Sequence, residues 1–142
     1  MTQSKIHSIA RETPVTSTSD SIAVSIGSMR IEFSKDRICI IENVSDQTNP
    51  YVTTITTRPS GSINYEQKAS FIDTDEGTVI PLDKQHGYRD LQHFTAAHSR
   101  IVKAIKAAIS CIDANGKQQL STTQCALLDG LKRAYPSSDI QR

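Results

Sequence analysis

The spacing of apolar residues changes between residues 83 and 88, and this change constrains the fold more than any other feature. From residue 21 up to that point, apolar and polar residues alternate, which is the period of a half-buried β-strand. Beyond it, apolar residues recur every three or four positions, which is the period of an amphipathic helix. A chain of 142 residues has room for one core. The sequence therefore predicts a single α+β domain at residues 21–142, with a sheet at residues 21–83 followed by helices.

Short turn signals divide the sheet region into strands. Gly-Ser at residues 27–28 fits a two-residue hairpin, and Lys-Asp at residues 35–36 fits a second tight turn. Residues 38–41 are apolar at consecutive positions, which is typical of a strand covered on both faces. Residues 51–57, YVTTITT, predict a strand with a largely hydroxylated face. Because every connection is short, we expect an antiparallel meander of five to six strands.

The C-terminal part of the chain predicts a helical hairpin. Apolar spacings of three and four indicate one long helix at residues 88–113, about seven turns in length. An Asn-Gly pair shortly after it suits a helix C-terminus. Ser121 and Gln124 fit a capping box at the start of a second helix, at residues 121–135. The short link between the two helices predicts an antiparallel pair.

The N-terminal residues 1–20 differ from the rest of the chain, with eight Ser or Thr and few large apolar side chains. Such a segment buries too little apolar surface to offset its ordering entropy, so we expect a flexible arm. The arm is either a plain tail or a segment that orders on a partner. No apolar run reaches the ~20 residues that span a bilayer, and the arm lacks a signal-peptide stretch. The expected location is the cytoplasm, or a virion if the gene is viral.

Residues with catalytic or metal-binding chemistry form no recognisable motif. The three cysteines are an odd set without Cys-x-x-Cys spacing, which predicts small core hydrophobes rather than disulfides or a zinc site. His93 and His98 are five positions apart, so they lie roughly 140° apart on a helix and share no metal-binding face. No nucleophile motif and no Gly-rich phosphate loop is present. We expect a non-catalytic protein without a metal or cofactor.

The net charge of +1 is the balance of two unlike halves. Residues 1–83 carry 7 basic and 11 acidic side chains, whereas residues 84–142 carry 9 basic and 4 acidic ones. Near neutrality excludes a strongly basic DNA-coating protein. Basic residues of the predicted long helix lie mostly opposite its apolar side, where they would suit phosphate groups or an acidic partner, or form an ordinary solvated face. These residues are Arg89, His93, Arg100, Lys103 and Lys106.

An exposed, Thr-rich sheet face is a second candidate site for nucleic acid. Its hydroxyl groups would form hydrogen bonds, its basic residues would contact phosphates, and a tyrosine would stack on bases. The small number of aromatic residues and the glutamates of the same sheet favour the alternative, a solvated sheet face. The candidate residues are Thr54, Thr56, Arg58 and Lys68, with Tyr51 or Tyr65.

The order of elements, a meander followed by helices across residues 21–135, resembles two known families in topology. One comprises the single-stranded-nucleic-acid binders of the PUR-repeat and positive-cofactor type, in which a strand such as residues 78–82 runs directly into a long helix. The other comprises the coat proteins of small RNA phages, in which two helices follow the sheet and clasp a second subunit. Both are dimers that present a sheet to nucleic acid. The resemblance implies this arrangement and carries over no site residue.

These observations predict a homodimer or higher oligomer that binds or packages single-stranded RNA or DNA. A sheet with one exposed face beside a long helix tends to leave apolar surface that a second subunit can cover. The alternative is a protein-binding adaptor, chaperone or regulatory subunit with no nucleic-acid role. The near-neutral charge favours the alternative, and the positive charge of the helical half favours nucleic acid.

Overall fold

In a computed structural model of the chain, which describes residues 15–18, 20–43, 47–73, 77–115 and 117–136, a meander sheet is followed by helices. Each strand pairs antiparallel with the strand before it, so the order in the sheet is the order in the chain. The α+β fold class with an antiparallel meander is thus confirmed. The strands are β1 (Val15–Thr18), β2 (Ser21–Ile26), β3 (Met29–Ser34), β4 (Arg37–Glu42), β5 (Gln47–Thr57), β6 (Ile63–Asp73) and β7 (Thr78–Tyr88).

The short strand β1 comes from the segment expected to be a flexible arm. It pairs with β2 in the register Val15 to Val24 and Thr18 to Ser21. The remainder of the predicted arm, residues 1–14 and residue 19, lies outside the described residues. With β1 included, the described part of the chain forms a sheet of seven strands, compared with the five to six expected.

Both predicted hairpin turns are present at the expected positions. Gly27 in the β2–β3 turn has φ 61°, a conformation that glycine adopts without steric cost. Asp36 in the β3–β4 turn has φ 63°, and aspartate is one of the few non-glycine residues that tolerate it. These turns place successive strands side by side and so produce the meander.

Within the described ranges, three α-helices follow the sheet: α1 (Leu91–Ala97), α2 (Ser99–Asn115) and α3 (Thr122–Ala134), with a 3₁₀ turn at Lys117–Gln119. Strand β7 continues to Tyr88, beyond the predicted strand at residues 78–82, because β6 provides pairing partners over the whole length of β7. The region predicted as one long helix contains α1 and α2, which are separated at His98 with φ −130° and ψ 53°.

The backbone hydrogen bonds at the break show that α1 and α2 remain connected. The N–H of His98 donates to the carbonyl of Phe94 at 2.9 Å, and the N–H of Val102 donates to the carbonyl of His98 at 3.1 Å. Because the two helices stay connected, the apolar spacing is not interrupted at His98. The sequence pattern alone could therefore not reveal the break.

The core lies between one face of the sheet and the helices. Ile22, Phe33 and Ile38 occupy one cross-strand row, and alternation turns all the core residues of β2–β6 toward the same face. Each fully buried side chain of this kind contributes roughly 1.5–3 kcal/mol. The largest fully buried side chains are Ile22, Val24, Ile31, Phe33, Ile55, Ile63, Phe94, Ile105, Ile112 and Leu128.

Among the described residues, helices cover strand β4 on one face only, contrary to the expectation of two covered faces. Ile38 and Ile40 are buried in the core, whereas Cys39 and Ile41 on the opposite face are half-buried. Side chains of neighbouring strands shelter Cys39 and Ile41, because cross-strand neighbours lie about 5 Å away. None of the helices in the described ranges is both long and apolar enough to cross a membrane.

Candidate nucleic-acid interface

The sheet face opposite the helices, here called the open face, carries mainly polar and charged side chains. The strand register places Thr54 of β5 between Cys39 of β4 and Glu66 of β6. The next row places Thr56 between Arg37 and Asn64. The open face is defined by Ser25, Arg30, Glu32, Arg37, Cys39, Ile41, Val52, Thr54, Thr56, Asn64, Glu66, Lys68, Asp83 and Gln85.

Two of the three cations of the open face lie beside carboxylates. Nε of Arg30 is 2.8 Å from Oε2 of Glu32, and Nζ of Lys68 is 3.5 Å from Oε2 of Glu66. Exposed pairs of this kind contribute about 1 kcal/mol or less, so a phosphate group can compete for either cation. Arg37 forms no ion pair with any residue that the structure describes.

Cys39 lies in the middle of the open face and is half-buried. Burial raises the pKa of its thiol, while the hydrogen bond with Thr54 acts in the opposite direction. The thiol is therefore protonated at neutral pH and presents a weakly polar surface beside the Thr54 hydroxyl.

The structure separates the sheet residues that the sequence grouped together. Thr54, Thr56 and Lys68 share the open face, and Arg58 is exposed in the β5–β6 turn. Tyr51 lies on the helix-facing side of the sheet. Tyr65 is 6% exposed and belongs to the core, so its ring is unavailable to a base on the open face.

The basic residues of the helices likewise lie on different surfaces. Arg100 and Lys103 border a groove between the start of α2 and the sheet. Lys106 borders a different depression, lined also by Leu91 of α1 and Tyr135 after α3. The predicted basic stripe is thus divided between two surfaces of the helical layer.

Arg89 and His93 are held in a hydrogen-bonded group with Asp90 at the start of α1. Nδ1 of His93 lies 2.6 Å from Oδ1 of Asp90, and Nη2 of Arg89 lies 2.9 Å from Nε2 of His93. Since Arg89 can only donate, Nε2 of His93 accepts and its Nδ1–H donates to Asp90. The hydrogen bonds from His93 hold the pKa of Asp90 below its ordinary value. This group caps α1, because Asp90 also accepts from the backbone N–H of His93 at 2.9 Å.

An aromatic cluster lies where β6, β7, α1 and the break at His98 meet. The ring of His98 stacks on Tyr65 with centroids 4.2 Å apart, and Phe94 lies 5.1 Å from His98. Tyr88 contacts the edge of the same group at 5.4 Å from His98. This cluster fixes α1 against the end of the sheet that carries β6 and β7.

Sequence reasoning missed several residues of the open face, namely Arg30, Arg37, Asn64 and Gln85. The signal for Arg30 and Arg37 was present, because each alternates with buried apolar neighbours on its own strand. The pairing that brings Asn64 and Gln85 beside them depends on strand register, which the pattern of one strand does not contain.

Comparison with known proteins leaves the function open. No family model matches the chain, and no curated protein or solved structure matches it at a significant level. Across the described ranges, no three His, Cys, Asp or Glu side chains come together in a way that could hold a metal ion. The fold and the open face define an α+β protein whose described helices pack on one face of the sheet. A functional proposal therefore depends on the open face and on the surfaces of the helical layer.

Proposed function

We propose that this protein is a non-catalytic, homo-oligomeric module that binds single-stranded nucleic acid on the open face of its sheet. The observation that carries the proposal is a mainly polar sheet surface that none of the described helices covers, in which hydroxyl, amide, basic and acidic groups occupy adjacent rows. Exposed sheets of this kind bind single strands because unpaired bases and sugar hydroxyls can lie flat across several strands.

The chemistry of the open-face side chains indicates how each would contact a single strand. Thr54, Thr56 and Asn64 would form hydrogen bonds to base edges and sugars, and Arg37 and Lys68 would contact phosphates. None of the aromatic side chains described by the structure lies on this face. Binding would therefore rely on hydrogen bonds and charge, with little contribution from base stacking.

The edge strand β7 offers a route to oligomers. It is the last strand of the sheet, has 11 residues and is exposed along most of its length. Val79 and Ile80 are 52% and 48% exposed, which is unusual for apolar residues on an edge strand. A second copy that pairs along β7 would cover these side chains and join two open faces into one surface, which would lengthen the nucleic-acid site.

Oligonucleotide binding by charge-neutral variants tests the proposal. Fluorescence anisotropy with labelled single-stranded RNA and DNA should show binding at low salt, weakened in the variant Arg37→Gln/Lys68→Gln. Lys84→Gln is the matched control, because Lys84 lies on β7 but on the helix-facing side. Absence of oligonucleotide binding at low salt, or equal losses in both variants, would contradict the proposal.

Light scattering tests the oligomer separately. We expect the unmodified chain to be a dimer or larger, and Val79→Lys/Ile80→Lys to shift it toward the monomer, because two charges would replace apolar contacts at the edge. A monomeric unmodified chain would contradict the role of β7. A monomer that also binds no oligonucleotide would favour the protein-binding alternative.

A further inference from the structure

A groove of about 680 Å³ lies on the helix side of the sheet, between the start of α2 and strands β3–β6. It is distinct from the open face, because Thr53 and Gln67 in its floor alternate with the open-face residues of β5 and β6. Its volume falls within the range of small-molecule sites.

The start of α2 provides a positive electrostatic end to this groove. Helix α2 has 17 residues and no acidic residue in its first turn. First-turn N–H groups of a helix lack intrahelical partners and carry partial positive charge, which favours an anion. Ser99 and Arg100, the first two residues of α2, both line the groove.

Thr53 provides an independent indication that a ligand enters the groove. Its side chain lines the groove and the residue is only 3% exposed. Its hydroxyl makes no hydrogen bond to any of the residues that the structure describes. A buried hydroxyl without a hydrogen-bond partner costs about 1–3 kcal/mol. A ligand atom in the groove that forms a hydrogen bond with the Thr53 hydroxyl would remove this cost.

The charged side chains around the groove favour an anion with further polar groups. Arg100 and Lys103 line the groove and form no ion pair within the described ranges. The carboxylate of Glu42 is the acidic group on the sheet side, beside Tyr51. Two cations and a helix N-terminus outweigh one carboxylate, and Glu42 would accept hydrogen bonds from ligand hydroxyls.

We propose that the groove binds a phosphomonoester of a small polyhydroxylated molecule, with its phosphate at the start of α2, contacted by Arg100, Lys103 and Thr53. The hydroxyl groups of the ligand would lie toward Glu42 and Tyr51. Sugar phosphates and nucleotides share this chemistry, and titration distinguishes them. The site acts independently of nucleic-acid binding on the open face.

Titration of the full chain, followed by backbone amide NMR signals, tests this site with inorganic phosphate, ribose 5-phosphate and adenosine monophosphate. We expect saturable shifts at residues 99–103 and at Thr53, with ribose 5-phosphate bound more tightly than inorganic phosphate and with ribose alone unbound. Tighter binding of adenosine monophosphate than of ribose 5-phosphate would identify the ligand as a nucleotide. Equal affinity for the two compounds would identify it as a sugar phosphate.

Two variants distinguish a binding role from a structural one. Lys103→Gln should weaken phosphate binding about fivefold, while Lys35→Gln in the β3–β4 turn should leave it unchanged. Thr53→Val should also weaken binding, yet leave the melting temperature equal or higher, because valine removes the unpaired hydroxyl at constant volume. Arg37→Gln/Lys68→Gln should leave phosphate binding intact.

Several results would overturn the proposal. One is the absence of saturable shifts at residues 99–103, and another is an equal loss of phosphate affinity in Lys103→Gln and Lys35→Gln. A third is a lower melting temperature in Thr53→Val, which would indicate a structural role for the Thr53 hydroxyl. Coverage of the groove by a second copy of the chain would likewise abolish the shifts and overturn it.

Discussion

The hydroxyl oxygen of Tyr88 lies 2.6 Å from Nε2 of His98, and this hydrogen bond joins the end of β7 to the break between α1 and α2. Tyr65 stacks against the same imidazole ring. Burial is the larger cause that lowers the pKa of His98, and the charge of His86 adds to it. The fold therefore holds His98 in its neutral form.

The half-buried position of His98 between Tyr65 and Tyr88 predicts that stability falls as the solution becomes mildly acidic. Because the pKa of His98 is lower in the folded chain than its ordinary value of 6.5, the unfolded chain binds more protons in the window just below that value. The contribution is fully present above the ordinary pKa and is lost as pH falls toward the folded pKa. We expect the melting temperature to decrease between about pH 7 and pH 5, and to decrease less in His98→Gln.

Circular dichroism melts across this pH range provide the measurement. His93→Gln is the control, because His93 is exposed and pairs with Asp90 instead of with the aromatic cluster. The control should keep the dependence of the unmodified chain. Identical pH dependence in His98→Gln and the unmodified chain would contradict the role assigned to His98.

Gln124 links helix α3 to the sheet and is 4% exposed. Its Oε1 accepts from the N–H of Ser121 at 2.8 Å, and its Nε2 donates to the carbonyl of Ser21 at 3.2 Å. Gln124→Ala removes half of the capping box and leaves the Ser21 carbonyl without this donor. We expect a decrease of about 2 kcal/mol in the free energy of unfolding, measured by urea denaturation. A decrease below about 0.5 kcal/mol would show that water replaces both hydrogen bonds.

Phe94 is fully buried at the centre of the aromatic cluster, with ring centroids 5.8 Å from Tyr65 and 5.6 Å from Tyr88. Phe94→Ala should lower the free energy of unfolding by about 3–5 kcal/mol, because it leaves a cavity between α1 and the sheet. Lys132→Ala is the contrast, since it breaks only an exposed pair with Asp113 and should cost about 0.5 kcal/mol or less. Similar decreases in both variants would contradict this packing.

The interactions proposed for the open face predict how strongly salt weakens oligonucleotide binding. Removing one phosphate-binding cation from a single-stranded complex reduces the slope of log K against log salt by about 0.7. We therefore expect Arg37→Gln to reduce the slope by about 0.7 and Lys84→Gln to leave it unchanged, measured by anisotropy at several salt concentrations. An unchanged slope in Arg37→Gln would remove this residue from the interface.

Local features of the chain were predictable because they depend on neighbours in sequence. The capping box of Ser121 and Gln124 is confirmed, and so are the turns at residues 27–28 and 35–36. The break at His98 was not predictable, since apolar spacing continues through it. Its cause is tertiary, because Tyr65 and Tyr88 hold the His98 ring against the sheet.

The candidate sites were only partly predictable, for the same reason. Alternation assigned Thr54 and Thr56 to a shared strand face, and Lys68 lies on that face in the structure. Tyr51 was grouped with them wrongly, since it lies three positions before Thr54 and alternation alone places it on the opposite, helix-facing side. The groove beside Thr53 depends on where α2 crosses the sheet, and no sequence period contains that information.

The sequence by itself determined most of the strands, the turns at residues 27–28 and 35–36, the helical C-terminal part and the unequal charge of the two halves. These properties follow from spacing, turn residues and composition along the chain. Only the tertiary structure decided which sheet face stays open, which basic residues share a surface and where Thr53 is buried. Those outcomes depend on strand register and helix packing, which bring together residues that are far apart in sequence.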